Sequence, residues 1–264
     1  MLSQARIESI LPIGDLGRQV VYLDTVGSTN DLAKSLGEGS YGNGTLVVAD
    51  EQTQGRGRGE RGWLTPAGTA LALSVLLRPG LGAGANALAL NGLGAIAAVD
   101  AVEAFGGNAR IKWPNDVLLA GRKAAGVLAE VSWAEDQVEY AVIGIGVNVQ
   151  RGSAPPDDQI LFPATSLEEA LGKPVDRLEL LRAIVAQLDR WQGALGKPGL
   201  VEAWQERLAY LGEQILLEQQ GEAVQGELVG LAGDGRLRLR LAGGQEIVTG
   251  QDFVHLRPVD SRLE

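Results

Sequence analysis

The chain has no cysteine and a single histidine, His255, in 264 residues. The first absence excludes disulfides, thiolate zinc sites and cysteine nucleophiles, and fits a cytoplasmic protein. The second leaves too few imidazoles for a histidine metal cluster or a triad. No G-x-S-x-G occurs, so a serine hydrolase has little support. No G-x-x-x-x-G-K-[ST] occurs, which excludes a P-loop. The N-terminus, MLSQARIES, lacks a basic start followed by an apolar core, and no transmembrane run is read; the expectation is no signal peptide and no membrane partner. Basic residues are also short: 23 Lys and Arg against 33 Asp and Glu give a net charge of −10, which argues against general nucleic-acid binding.

What is present is a sizeable apolar fraction, 45%, in a chain long enough for one large domain and a small one. Its organising stretch runs from Glu51 to Trp63, EQTQGRGRGERGW, with four glycines and three arginines in near alternation. An apolar, β-branched strand precedes it (45–49) and another follows (70–77), so the loop joins two strands and is expected at a sheet edge. Glycine at every second position lets the backbone approach a ligand closely, and arginines offer planar forks to phosphate or carboxylate oxygens. Such a loop can be disordered when empty and close over an anion, excluding water. The residues alone also allow a basic linker, although Trp63 supplies an aromatic anchor. Gly57, Gly59 and Gly62 fit G-x-G-x-x-G, but Pro66, Gly68 and a strand follow where a dinucleotide site needs a helix.

Residues 18–24 read as a strand. Ser28 or Thr29 can cap the short helix after it, with Asp31 in its first turn, and the same junction can offer hydroxyls, the Asn30 amide and backbone N–H groups to a small polar ligand. Residues 83–105 read as a buried helix loosened by Gly92 and Gly94. A second chemical stretch spans Arg110 to Glu130. Pro114, Asn115 and Asp116 form a turn, 117–119 and 124–131 pair as a hairpin, and Ala120 to Arg122 reverse the chain. That hairpin would bring Lys112, Asp116 and Lys123 to one end. Two amines and a carboxylate suit phosphate or carboxylate chemistry; a surface hairpin with scattered charges is the other reading.

Residues 138–149 form an apolar strand ending in Asn148, whose amide could read a nucleobase or ribose, or cap the next turn. Residues 150–165 are a loop. Capping boxes at Ser166/Glu169 and Asp176/Glu179 start helices, one running to about Leu195 and another following over 199–210. From Gly212 the pattern changes to short strands between glycine turns, which suggests a small barrel. His255 falls in the last strand and reads as structural. The expected division is a large domain over 1–211 and a small one over 212–264.

Together the loop, the hairpin and Asn148 suit a reaction joining a carboxylate to the α-phosphate of ATP. Both reactants are anions, so cations must offset their repulsion and the charge growing on phosphorus. The acyl-phosphate product is labile in water, and a closing loop would shield it. No nucleophilic side chain is needed. QTQGRGR at 52–58 with Gly62 and Trp63, KWPND at 112–116, GRKAAG at 121–126 and GIGVN at 144–148 resemble the signature of biotin–protein ligases. Ser28, Thr29 and Asn30 resemble that family's first biotin motif. The motifs run in the family's order over about residues 20–150, and the tail from Gly212 resembles its small C-terminal domain.

The resemblance implies an α+β fold: a mixed β-sheet with helices, related to class II aminoacyl-tRNA synthetases, plus a small C-terminal SH3-like β-barrel. It implies two steps. Biotin and MgATP give biotinyl-5′-AMP, and the biotinyl group passes to a lysine of an acceptor such as the biotin carboxyl carrier domain of acetyl-CoA carboxylase. By position, Ser28, Thr29, Asn30, Gln52, Arg56, Gly57, Arg58 and Lys123 match biotin contacts. Arg58, Trp63, Lys112, Asn115 and Asn148 match the ATP side. Lys123, Arg58 and Asp116 are the catalytic candidates, Asp116 as a magnesium or acceptor-amine contact. Glu60 stands where many relatives carry a base. About 17 residues precede the first strand, too few for the helix-turn-helix domain of some relatives, so a ligase-only form is expected. A sheet edge could support a homodimer. The competing readings are a lipoate–protein ligase, whose motifs match less well, and a regulatory protein sensing a small anion or nucleic acid through the arginine loop.

Overall fold

The computed structural model describes residues 2–59, 61–78, 86–160, 162–219, 222–249 and 255–259. Glu60, which the sequence singled out, lies outside them. Seven strands form the main sheet: β1 (Val20–Val26), β2 (Thr45–Gln52), β3 (Ala70–Leu77), β4 (Ala109–Lys112), β5 (Asp116–Leu119), β6 (Arg122–Ala134) and β7 (Gln137–Asn148). Their order is β1-β2-β3-β7-β6-β5-β4. The β1–β2 pair is parallel, joined through helix α2 (Thr29–Gly37), and the remaining pairs are antiparallel, so the sheet is mixed.

Alternation sorts the apolar residues onto two faces. On β2, Leu46 and Val48 join the larger core while Val47 packs with Ala33 of α2, Leu76, Tyr140 and Val142. The run ALALSVLL of β3 is buried at every position because helices cover both faces. Helix α3 (Ala87–Ala104) crosses the larger face against α5 (Arg177–Gln192) and β6. It is long and apolar enough to cross a membrane, and 72% of it is buried inside the fold. Gly92 and Gly94 are not loosening points. A Cβ at Gly92 would lie 2.5 Å from Trp204, and one at Gly94 2.6 Å from Val127, so both serve close packing.

Two further expectations change. The arginine loop follows β2, second in the strand order, and therefore leaves the end of the sheet, not its edge. Ser28 is the N-cap of α2, yet its side chain makes no capping bond; Gln52 Oε1 accepts from the Thr29 backbone N–H instead, at 2.8 Å. Ser166 and Glu169 do form the capping box of α4 (Leu167–Leu171), whereas Asp176 caps α5 alone, accepting from Leu178 and Glu179. Helix α1 (Gln4–Ile10) and strand β4 were not read from the sequence.

After α6 (Pro198–Glu206) come five antiparallel strands: β8 (Gln214–Gln219), β9 (Glu222–Leu231), β10 (Leu237–Arg240), β11 (Glu246–Val248) and β12 (His255–Pro258). Their order is β11-β10-β9-β8-β12. Of the expected turns, 233–235 and 242–244 are present, while Gln220 and Gly221 lie outside the described residues, as does the His255 side chain. The small sheet is tied to the large one. Trp113 Nε1 donates to the Gly235 carbonyl at 2.9 Å, and Leu231 N donates to Gln205 Oε1 at 2.9 Å.

Candidate active site

Strand-to-helix junctions place polar groups at the end of β1. Gln52, on the neighbouring strand, accepts from Thr29 Oγ1 at 3.0 Å and donates to Thr65 Oγ1 at 3.0 Å. Ser74, on the buried face of β3, donates towards Thr29 Oγ1 and Asn30 Oδ1 at 2.8 and 2.7 Å. Thr29 and Asn30 are buried, so these bonds replace water that the groups have lost; Ser28 is buried beside them. Gly144 of β7 leaves room for Asn30: a Cβ there would run into the Asn30 amide.

The arginine loop folds back on itself. Gly57 N donates to Arg61 O at 2.7 Å, Trp63 N donates to Gly55 O at 2.8 Å, and Arg56 bridges to Gly62. Arg56 does not point its charge at an anion site. Its Nη2 meets Asp31 at 2.5 Å and Glu130 at 2.9 Å, so the chain's own carboxylates engage the guanidinium. The Arg58 carbonyl accepts from Arg61 Nε at 3.0 Å.

The hairpin does what its spacing suggested. Lys112 stands opposite Asp116 across β4 and β5, and Asp116 opposite Gly126 across β5 and β6. The two-residue turn needs positive φ at Ala120 and Gly121, and both adopt it, 52° and 74°. Bare of a side chain, Gly126 lets the Lys123 stem lie across it, and Lys123 Nζ reaches Asp116 Oδ1 at 2.5 Å. Trp63 covers the same spot. A Cβ at Gly126 would meet its ring at 3.2 Å, and one at Gly146 would collide with its indole. Lys123 Nζ lies 5.4 Å from the centre of the Trp63 ring. The indole Nε1 is buried without a hydrogen-bond partner.

Lys112 Nζ sits 3.6 Å from the centre of the Phe162 ring. Burial, and to a lesser degree the charges of Lys123 and Arg61, pull its pKa down from 10.5 to about 8 against the opposing pull of Asp116. Asn115 and Asn148 bind backbone. Asn115 Nδ2 donates to the Val127 carbonyl at 2.5 Å, and Asn148 Nδ2 to the Thr165 carbonyl at 3.1 Å. The Asn148 amide therefore does not cap the turn that follows its strand; it ties the end of β7 to the residue before the α4 cap, 17 positions on.

The thirteen residues matched to biotin, ATP or catalysis all line one cavity of about 880 Å³: Ser28, Thr29, Asn30, Gln52, Arg56, Gly57, Arg58, Trp63, Lys112, Asn115, Asp116, Lys123 and Asn148. Sequence reasoning missed five contributors, which come from three parts of the chain. Phe162 and Pro163 arrive on the 150–165 loop, held because Lys123 N donates to Pro163 O at 2.8 Å and Thr165 N to Lys123 O at 3.0 Å. Tyr210 comes from the connection between the sheets, and Glu218 and Arg257, paired at 2.9 Å, come from the small sheet. No motif marks these residues; proximity in the fold alone recruits them.

A magnesium ion at the hairpin end would have to take most of its ligands from a substrate polyphosphate. Among the described residues no group of three His, Asp or Glu side chains could hold a metal. Asp116 is the carboxylate between the two lysines, and magnesium commonly takes one or two carboxylates together with substrate phosphates.

Comparison with known proteins agrees with this geometry. Residues 22–148 match the biotin/lipoate A/B protein ligase family, and residues 210–256 match the biotin protein ligase C terminal domain. The biotin–[acetyl-CoA-carboxylase] ligase of Paracoccus denitrificans is 38% identical over 231 residues, 84% of this chain and 94% of that protein. The Mycobacterium tuberculosis protein of the same name is 32% identical over 268 residues, 95% and 94% of the two chains. The Aquifex aeolicus biotin protein ligase in complex with biotin and ATP superposes with a TM-score of 0.74 at 33% identity, covering 91% of this chain and 99% of that one.

Proposed function

The chain belongs to the biotin/lipoate A/B protein ligase family, and from that premise we propose that it is an ATP-dependent biotin–protein ligase, a biotin–[acetyl-CoA-carboxylase] ligase. The observation carrying this reading is the convergence of five separate motifs on one cavity, polar at the α2 end and cationic at the hairpin end.

In the first step a biotin carboxylate oxygen attacks the α-phosphorus of ATP. The bond from that phosphorus to the bridging oxygen breaks, and pyrophosphate leaves. Lys123, held by Asp116, offsets the repulsion between the two anions and the charge that grows on the α-phosphate. Lys112 and Arg58 serve the phosphates. Ser28, Thr29, Asn30 and Gln52 hold the biotin ring system, and the backbone around Gly57 its carboxylate end. Trp63, Asn115 and Asn148 form the nucleotide side, Trp63 offering its unpartnered indole N–H. When bound, magnesium neutralises phosphate charge, and Asp116 is the side chain that would hold it.

In the second step a lysine ε-amine of a biotin carboxyl carrier domain attacks the acyl carbon of biotinyl-5′-AMP. An amide forms, AMP leaves with the phosphate oxygen, and the amine proton passes to solvent or to Asp116. We read residues 1–211 as the catalytic domain and 212–264 as a domain that also lines the nucleotide end through Glu218 and Arg257. A cytoplasmic protein without nucleic-acid or membrane partners is the accompanying proposal; the net charge of −10 speaks against nucleic acid, and the lack of cysteine fits the cytoplasm. A homodimer through the β1 edge of the sheet is proposed with it.

The reading is tested by labelling a carrier domain with biotin and ATP. Labelling should need both and should vanish when the acceptor lysine becomes arginine. Labelling with lipoate in place of biotin would move the chain to the other branch of the family.

A further inference from the structure

Glu130 belongs to none of the motifs and does not line the cavity, yet it joins two of them. Its Oε2 accepts from Asn30 Nδ2 at 2.8 Å and from Arg56 Nη2 at 2.9 Å, and its Oε1 accepts from Lys34 Nζ at 3.1 Å. Asn30 continues the chain through Ser74 to Thr29, and Thr29 to Gln52. On the other side, the Arg56 backbone pairs with Gly62, next to Trp63. One carboxylate therefore fixes the polar floor of the cavity and the first arginine of the loop in a single arrangement.

We propose that Glu130 on β6, aided by Asp31 on α2, is a positioning residue that latches the arginine loop in place and so sets how long the adenylate is retained. The proposal rests on the ligase reading above. Its physical basis is charge placement. Glu130 lies between two cations, Arg56 and Lys34, and its side chain is only 21% exposed. Without its charge those cations face each other across a partly dry space, and Arg56 loses the partner that ties the loop to β6. Burial pushes the Glu130 carboxyl up, but hydrogen bonds from Asn30 and Lys34 and the charge of Arg56 outweigh it and hold the group ionised. Asp31 is the second, more exposed half of the catch.

Glu130→Gln keeps the shape and one acceptor for Asn30 while removing the charge. The protein is loaded with labelled biotin and MgATP and chased with unlabelled biotin, and escape of labelled biotinyl-5′-AMP is timed. Single-turnover adenylate formation at saturating substrates is measured alongside. The expected result is escape about tenfold faster, a change of about 1.4 kcal/mol, with formation within about twofold of the unaltered protein. A merely structural defect would slow formation and lower stability without this split. Combining Arg56→Ala with Glu130→Gln should give escape no faster than the faster single variant, because the two residues act as one contact. Unchanged escape in Glu130→Gln, or effects that multiply in the double variant, would overturn the latch. Should Glu130→Gln fail to fold, Asp31→Asn reads the same catch from its exposed side: faster escape supports the latch and unchanged escape overturns it. Adenylate formed by the unaltered protein separates these outcomes from failure of the ligase reading, in which none would form.

Discussion

Lys123 Nζ and Asp116 Oδ1 meet at 2.5 Å, with 26% and 16% of their side chains exposed. The pair spans the hairpin turn, with Gly126 beneath it and the Trp63 ring above. A lysine so held is a fixed positive charge in a partly dry cleft. Its value to a transition state is large because little reorganisation remains to be done. Lys123→Ala should leave the fold intact and slow adenylate formation by about 10²–10³-fold, the usual cost of one preorganised donor. Stopped-flow or quench measurement of the first half-reaction checks this, and a wild-type rate would remove Lys123 from the mechanism.

Lys112 makes the site sensitive to pH. Its pKa in the folded protein is about 8, against 10.5 in an exposed chain, so the folded form gives up its proton earlier. Keeping the charge therefore costs stability below about pH 8, and the cost disappears as pH rises towards 10.5. Nucleotide binding has the opposite trend, because phosphates need the charged amine. KM for ATP should rise above about pH 8 in the unaltered protein, and this rise should be absent in Lys112→Arg, which stays charged. Identical pH profiles for the two proteins would refute the assignment.

Gly146 leaves the space that the Trp63 indole fills. Gly146→Ala should destabilise the protein by about 1–3 kcal/mol, the common cost of overpacking. In a Trp63→Ala background the same substitution should cost far less, since the clash is gone. Thermal unfolding of the four proteins of this cycle measures the difference, and equal costs in both backgrounds would show that the two residues do not compete for space.

Trp113 ties the turn between β4 and β5 to the small sheet through its bond to the Gly235 carbonyl. Trp113→Phe keeps most of the ring but leaves that carbonyl unpaired, at a cost of about 1–3 kcal/mol. If the small sheet is positioned through this bond, KM for ATP should rise while KM for biotin stays near its original value. A change confined to biotin would place the small sheet elsewhere in the function.

Local spacing made much of this legible. KWPND and GRKAAG announced a hairpin because turn residues and strand residues alternate there at short range, and the charges it gathered were one of the two readings it allowed. The glycines of GIGVN announced close approach, though not what approaches; the partners, Asn30 and Trp63, lie far away in sequence. Arg56 shows where such reasoning stops. A guanidinium in a glycine loop signals an anion, and here the anions are Asp31 and Glu130 of the same chain. Glu130 itself reads as an ordinary polar position in a half-buried strand. The contribution of Glu218 and Arg257 was equally hidden, because it depends on how the small sheet docks and not on any local pattern.

The most direct test is pyrophosphate exchange into ATP, run with biotin, with lipoate and with no acid. Exchange that requires biotin and is not supported by lipoate is the predicted result, since it isolates formation of the adenylate in this cavity. Exchange supported by lipoate, or none with any acid in a protein shown to be folded, would contradict the account.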